Sequence, residues 1–243
     1  MKKLLLILSI SVLSKIVFGQ IDNVKILKDA DLHRAGQLEN VSWKLKVLNF
    51  KQNKLENEIA INVDAKTTAK DQLVLVSFLA PKKFEGQRLL IRNNNMWFTK
   101  KGLDRPIAIS GRQRLSGSAS NADVANANYS IDYKIVNVQE TKLEGISCYL
   151  FDLEANNNFV SYFKIKYWIN KVDHTALKAE YYGKTDKLIK VATFEYSTVS
   201  MGGVPTKMVS KTIIKDNINM NDFTTLESTD FEFKAISFSK FEK

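Results

Sequence analysis

The chain has 243 residues, with 36 Lys and Arg against 26 Asp and Glu, so its formal net charge is +10. Hydrophobic residues make up 44% of it and charged residues 26%, a composition typical of a folded globular chain. A single cysteine excludes an internal disulfide or a multi-cysteine metal site, and two histidines leave little scope for zinc or triad chemistry. The composition therefore argues against most enzyme classes, and the sequence predicts no cofactor and no metal.

Residues 1–19 have the pattern of a secretory signal peptide, in which Lys2 and Lys3 precede the apolar run Leu4–Leu13. The run has about ten apolar-dominated positions, whereas a helix that crosses a bilayer needs about 20. Cleavage before Gln20 leaves 33 basic and 26 acidic residues, a net charge of +7. No cysteine lies near the cut, so we expect a soluble, exported periplasmic protein that is not itself a lipoprotein.

Alternation of apolar and polar residues dominates the rest of the chain and predicts strands. The segment Gln72–Leu79 is apolar on both faces, which indicates a central strand that is covered on both sides. The predicted strands lie at 43–47, 55–63, Gln72–Leu79, Arg88–Ile91, Met96–Thr99, Tyr133–Val138, Ser147–Leu153, Tyr162–Ile169, Ala176–Tyr182, Leu188–Tyr196, Val204–Ile214 and Thr224–Leu226.

Helical patterns are few. Asp22–Arg34 predicts one N-terminal helix and Ser118–Asn128 a second, within the weakly hydrophobic stretch Gly111–Asn128; Phe231–Phe241 is either a closing strand or a docked tail. Short turns rich in Gly, Asn and Asp favour antiparallel neighbours. The sequence thus predicts a mainly β fold with minor α: a large antiparallel curved sheet or incomplete barrel of about ten to eleven strands, with short helices over its concave face. We expect a single domain over 20–243.

Each candidate for catalysis has a simpler structural interpretation. The candidates are two isolated histidines, one cysteine on an apolar strand, and two pairs of carboxylates: His33, His174, Cys148, Glu56 with Glu58, and Asp230 with Glu232. We interpret them as polar-turn imidazoles, a buried inert thiol and solvated sheet edges. The sequence contains no Gly-rich phosphate loop or nucleophile elbow, so we expect a protein that is not an enzyme.

Basic residues are spread along the predicted strands, and the longest purely basic run has two residues. Such residues keep the outer face of a sheet solvated and its edges unpaired, so we expect no nucleic-acid partner and a monomer. The positive charge also permits a transient contact with an anionic membrane surface.

The aromatic residues are more informative about function than the basic residues. Most of them fill a core, but a curved half-barrel of this size has more inner surface than two short helices cover, which leaves an apolar cavity suited to acyl chains. The residues that we predict to line this cavity are Trp43, Phe78, Trp97, Phe163 and Tyr167.

Several motifs between Trp43 and Tyr196 follow one another in a familiar order. They are Leu79-Ala80-Pro81, the segment Lys83–Gln87, Leu89–Ile91 followed by Asn95–Phe98, the loop Gly111–Ser118, the strand end Tyr167–Asn170, and the hairpin Ala179–Lys184 with Leu188-Ile189-Lys190. Their order and spacing resemble those of the outer-membrane lipoprotein-sorting proteins, the LolA-like group. Asp123 stands where that group has a polar helix residue.

The resemblance implies an incomplete antiparallel barrel with a helical lid over a lipid-binding cavity. It also implies a periplasmic carrier of lipids or acylated lipoproteins, usually loaded by an inner-membrane transporter. The alternative interpretation is a structural or sensory periplasmic domain whose sheet binds a protein partner, with an interior filled by its own side chains.

Overall fold

The structure is a computed structural model that describes residues 22–35, 38–124, 128–158, 160–219 and 221–242. The predicted signal peptide at 1–19 lies outside the described residues, as do positions 125–127 of the predicted helix Ser118–Asn128. The described helices are α1 (Asn23–His33), α2 (Asn121–Val124) and α3 (Tyr129–Asp132).

The described ranges contain fifteen strands, of which twelve coincide with predicted ones. The strands are β1 (Asn40–Lys51), β2 (Lys54–Thr67), β3 (Gln72–Ala80), β4 (Arg88–Arg92), β5 (Asn95–Thr99), β6 (Ile107–Ile109), β7 (Arg114–Ser116), β8 (Ala119–Ser120), β9 (Tyr133–Leu143), β10 (Ile146–Ala155), β11 (Lys164–Asn170), β12 (Ala176–Tyr182), β13 (Leu188–Met201), β14 (Val204–Asp216) and β15 (Phe223–Glu232).

Thirteen of these strands form one antiparallel sheet in the order β6-β5-β4-β3-β2-β1-β15-β14-β13-β12-β11-β10-β9. Two meanders, one from each end of the chain, meet where β1 pairs with β15. The sheet is open, so the predicted class of a large antiparallel sheet that stops short of a barrel is confirmed. The sequence underestimated the number of strands, because β6, β7 and β8 have only two or three residues each.

The alternation of residues decides what each face of the sheet covers. On β1, Val41, Trp43, Leu45 and Val47 are buried on the inner face, against the same core that holds Ile26 and Leu27 of α1. The inner face therefore forms the main core, and α1 is its lid.

Over β3 to β5 the outer face is also apolar, and the C-terminal tail covers it there. Leu73, Leu75 and Leu90 form a second cluster with Ile236 and Phe241 of the tail. Because β3 is apolar on both faces and both are covered, the prediction of a central strand is confirmed, and the tail after Glu232 docks instead of closing the sheet.

The segment Gly111–Asn128 differs from its prediction. In place of a loop and one helix it forms the hairpin β7–β8 and then α2. The hairpin turns at Gly117, whose φ is +53°, and a Cβ there would stand 2.0 Å from Oδ1 of Asn49. The turn is fixed by contacts with β1 and β15, since the backbone N–H of Ser118 donates to Oγ1 of Thr224 (2.8 Å) and Thr224 donates to Asn49.

Candidate functional site

The space between the inner face and the helices contains two buried ionic clusters. The first holds α2 to the sheet. Asp123 of α2 forms an ion pair with Lys190 of β13, and the two side chains are only 7% and 5% exposed. Tyr162 donates its hydroxyl to Oδ1 of Asp123 (3.0 Å), and Lys190 lies 5.0 Å from the centre of the Tyr162 ring.

The sequence Ser120-Asn121-Ala122-Asp123 explains why this carboxylate points inward. Ser120 lies just before α2, and both its backbone N–H (2.7 Å) and its hydroxyl (2.8 Å) donate to Oδ2 of Asp123. This contact resembles a capping box, in which an acidic residue three positions into a helix accepts from the residue that precedes it. The local turn fixes the side chain, and Lys190 then compensates its charge.

The second cluster joins α1 to α3. Asp31 of α1 is fully buried and accepts hydrogen bonds from the backbone N–H groups of Tyr129 (3.0 Å) and Ser130 (2.7 Å). Burial raises the pKa of Asp31 to about 6, although these donors and the charge of Arg34 act in the opposite direction.

Arg34 follows α1 and lies between two aromatic rings. Its Cζ atom stands 4.7 Å from the ring centre of Tyr129 and 5.0 Å from that of Phe194. Two cavities, of about 70 and 60 Å³, are each lined by both Arg34 and Asp123. Each has room for a few water-sized groups.

Tyrosines fill most of the remaining space under the helices. The hydroxyls of Tyr129 and Tyr181 are hydrogen-bonded to each other (3.0 Å), and Tyr133 donates to the carbonyl of Tyr162 (3.0 Å). Burial raises the pKa of Tyr162, Tyr167 and Tyr181 far above the ordinary phenol value, so these groups stay neutral and do not act as bases.

Tyr167 differs from Tyr181 in one testable respect. Both are buried, but the Tyr167 hydroxyl has no hydrogen-bond partner within the described part of the chain. We expect Tyr167→Phe to raise the free energy of unfolding by about 1 kcal/mol and Tyr181→Phe to lower it by about 1 kcal/mol. Urea denaturation of the two variants checks this; equal losses would mean that the Tyr167 hydroxyl is bonded in solution.

An apolar groove of about 440 Å³ lies between β2 to β6 and the hairpin β7–β8. This volume is within the range of small-molecule sites, about 300–1,000 Å³. Its apolar lining consists of Ile59, Phe78, Phe84, Leu89, Phe98, Ile109 and Leu115, and its polar lining of Gln87, Gln113, Arg114 and Asn121. The groove and the 70 Å³ cavity both border α2, since Asn121 lines the groove and Ala122 lines the cavity.

The five predicted lining residues do not share one place. Trp43 is buried, lines the 60 Å³ cavity and stacks on Phe231 at 6.2 Å. Tyr167 is fully buried among the tyrosines, and Phe78 lines the apolar groove.

Trp97 and Phe163 lie away from these three. Trp97 packs against the second cluster on the outer face, because its neighbours Met96 and Phe98 occupy the inner one. Phe163 precedes β11 and is half-buried between Arg112 and Lys184, whose charged groups stand 4.7 and 4.6 Å from its ring centre. Neither side chain lines the groove or the two cavities.

The histidines and the cysteine that were candidates for catalysis have structural roles. His33 places its ring nitrogens 2.8 and 3.0 Å from the carbonyl oxygens of Lys207 and Asp173, and Nδ1 of His174 lies 2.8 Å from Asp29. Both histidines thus hold α1 against the sheet. Cys148 is buried, and burial raises the pKa of its thiol, which disfavours the nucleophilic thiolate.

Two further features are absent from the described ranges. No group of three or more His, Cys, Asp or Glu side chains there could hold a metal ion. No helix in those ranges is long and apolar enough to cross a membrane.

Sequence reasoning missed the buried ionic residues Asp31, Arg34 and Lys190. Asp123 and Lys190 both lie in segments that carry the family resemblance, but they are 67 positions apart and no local pattern joins them. The Ser-x-x-Asp spacing around α2 was the available signal for Asp123.

The open antiparallel sheet with its helices is similar to the folds of several solved structures. The chain is similar to a LolA superfamily protein from Nitrosomonas europaea, with a TM-score of 0.78 and 21% identity over 90% of this chain and 96% of that one. It is also similar to a DUF1329 family protein from Desulfovibrio piger (TM-score 0.76, 19% identity, 90% and 95% covered). A third structure, described as an outer membrane lipoprotein-sorting protein domain from Vibrio parahaemolyticus, gives a TM-score of 0.74 and 15% identity, with 90% and 95% covered.

Residues 70–243 match the model of the family described as "Uncharacterized protein", and the chain belongs to that family. No curated protein sequence matches the chain. The predicted resemblance to the LolA-like group is confirmed at the level of fold.

Proposed function

We propose that this protein is an exported, periplasmic carrier that binds the acyl chains of lipids or lipoproteins without catalysis, within one domain over 20–243. The observation that carries the proposal is the apolar groove, where seven hydrophobic side chains from β2 to β7 and the turn at Phe84 surround about 440 Å³. Burial of an acyl chain contributes about 0.8 kcal/mol per methylene, so binding there needs no specific polar contact. The shared fold supports the proposal, and an inner-membrane transporter is the kind of donor that it implies.

The first test asks whether the native protein contains a ligand. We expect mass spectrometry of an organic extract from protein purified without detergent to find bound lipid, and a hydrophobic fluorescent dye to be displaced by added lipid. Absence of both would contradict the proposal.

The second test places the ligand in the groove. Phe84 and Leu115 are half-buried groove residues outside the main sheet, so Phe84→Asp and Leu115→Asp should fold. Because each puts a carboxylate into an apolar site, we expect dye affinity to fall about tenfold or more. Phe163→Asp, outside the groove, is the matched control and should bind like the unmodified protein. Equal affinities in all three variants would place the ligand elsewhere.

A second candidate is a domain that binds a protein partner through its sheet. The observation that favours it is the interior under α1, where the two cavities hold only about 70 and 60 Å³ and native side chains fill the rest. This candidate expects neither copurified lipid nor dye binding, so the same two measurements separate it from the carrier.

A further inference from the structure

The interior contains a buried cation whose hydrogen bonds are incomplete within the described part of the chain. The Nη1 atom of Arg34 is buried and has no hydrogen-bond partner within the described ranges of the chain. A guanidinium has five N–H donors and favours an acceptor with two oxygen atoms in one plane. Burial of an N–H group without a hydrogen bond is unfavourable, so the Nη1 atom of Arg34 is available to an acceptor from outside the chain.

The hydroxyl of Tyr167 is another buried polar group without a partner in the described ranges, and its ring has the same aromatic neighbours as Arg34. The ring of Tyr129 stands 5.3 Å from that of Tyr167 and 4.7 Å from the Arg34 guanidinium. Phe194 is likewise a neighbour of both, at 6.3 Å from the Tyr167 ring and 5.0 Å from the guanidinium. The two donors therefore lie around the same two rings, and Arg34 lines both cavities.

The carboxylates nearby are already engaged. Asp31 accepts from the N–H groups of Tyr129 and Ser130, and Asp123 is paired with Lys190. Asp132, on the wall of the larger cavity, accepts from Asn94 at 3.2 Å. The other charged groups of the interior thus have partners of their own.

We propose that Arg34, together with the Tyr167 hydroxyl, binds the carboxylate of a fatty acid or an equivalent anionic group at the head of an acyl ligand. The inference rests on the proposed function, because it gives the ligand of that site a polar end. The head occupies the cavities beside Arg34, and the chain extends past α2 towards the apolar groove, which also borders α2.

The test compares dodecanoate with methyl dodecanoate, which has the same chain without the charge, by isothermal titration calorimetry at neutral pH. We expect the unmodified protein to prefer the acid by about tenfold, as a charge-assisted hydrogen bond would give. Arg34→Met should lose the preference while it retains binding of the ester, and Arg34→Lys should recover part of it.

Tyr167→Phe removes only a hydroxyl, so it is the variant with the smallest risk to folding, and it should weaken acid binding without changing ester binding. If the unmodified protein and Arg34→Met bind both ligands equally, the proposed binding of the carboxylate by Arg34 is wrong and the carrier function stands. If the unmodified protein binds neither ligand, the carrier function and the binding of the carboxylate by Arg34 are both contradicted. If Arg34→Met does not fold, an unchanged acid preference in Tyr167→Phe and Arg34→Lys contradicts the proposal.

Discussion

Lys190→Met is expected to lower the free energy of unfolding by about 3–5 kcal/mol, because it leaves the buried carboxylate of Asp123 without its cation. Ser120 and Tyr162 would still donate to that carboxylate, but they carry no compensating charge. Asp123→Asn should have a loss of similar size, since it leaves the Lys190 ammonium buried beside neutral groups. Urea denaturation followed by circular dichroism measures both changes.

The double variant Lys190→Met/Asp123→Asn separates the ion pair from general packing. Because both charges are then absent, its loss should be smaller than the sum of the two single losses. Lys44→Met is the matched control, since Lys44 pairs with Asp230 across β1 and β15 with both side chains more than half exposed, and its stability should hardly change. Additive losses in the double variant would mean that the two residues do not interact in solution.

The sheet could be predicted from the sequence because the alternation that marks a strand is visible within a few neighbouring residues. On β1 the buried residues alternate with Lys44 and Lys46, and the same period of two repeats along the long strands. Gln72–Leu79 breaks this alternation for a physical reason that is also visible locally, since a strand that is covered on both faces needs apolar residues on both.

The hairpin β7–β8 and the places of Trp97 and Phe163 could not be predicted from local alternation. The hairpin is held by Asn49 and Thr224, whose own bond joins positions 175 apart, so nothing within the segment marks it. Trp97 belongs to a strand with apolar residues on both faces, and only the docked tail shows which side chains face outward. The predicted strand Tyr162–Ile169 begins two residues before β11, which starts at Lys164, so Phe163 lies outside the strand.

The candidate site was the least predictable part, because its polar residues come from separate elements. Asp31, Arg34 and Asp123 each look like ordinary surface residues of a helix until the sheet covers them. The composition argued for burial of acyl chains; the structure adds a charged, tyrosine-rich interior next to the apolar groove.

The free energy of unfolding should depend on pH through Asp31, which joins α1 to α3. An Asp in an unfolded chain titrates near pH 3.9, whereas burial raises the pKa of Asp31 to about 6 in the fold. Between these values the folded state binds more protons than the unfolded state, so this contribution to stability is present below about pH 4 and is lost as the pH rises through about 6. Relative to Asp31→Asn, which does not titrate, the protein should lose about 3 kcal/mol over this interval.

Urea denaturation of both proteins across this pH range measures the effect, and Asp173 supplies a control of opposite sign. Although burial opposes it, hydrogen bonds from Lys207 and Thr175 lower the pKa of Asp173 to about 2. Its contribution is therefore present above about pH 4 and lost as the pH falls through 2, so Asp173→Asn should differ from the parent mainly above pH 4. A difference between Asp31→Asn and the parent that stays constant with pH would show that Asp31 keeps an ordinary pKa, and α1 would then be joined to α3 by a carboxylate that remains charged throughout.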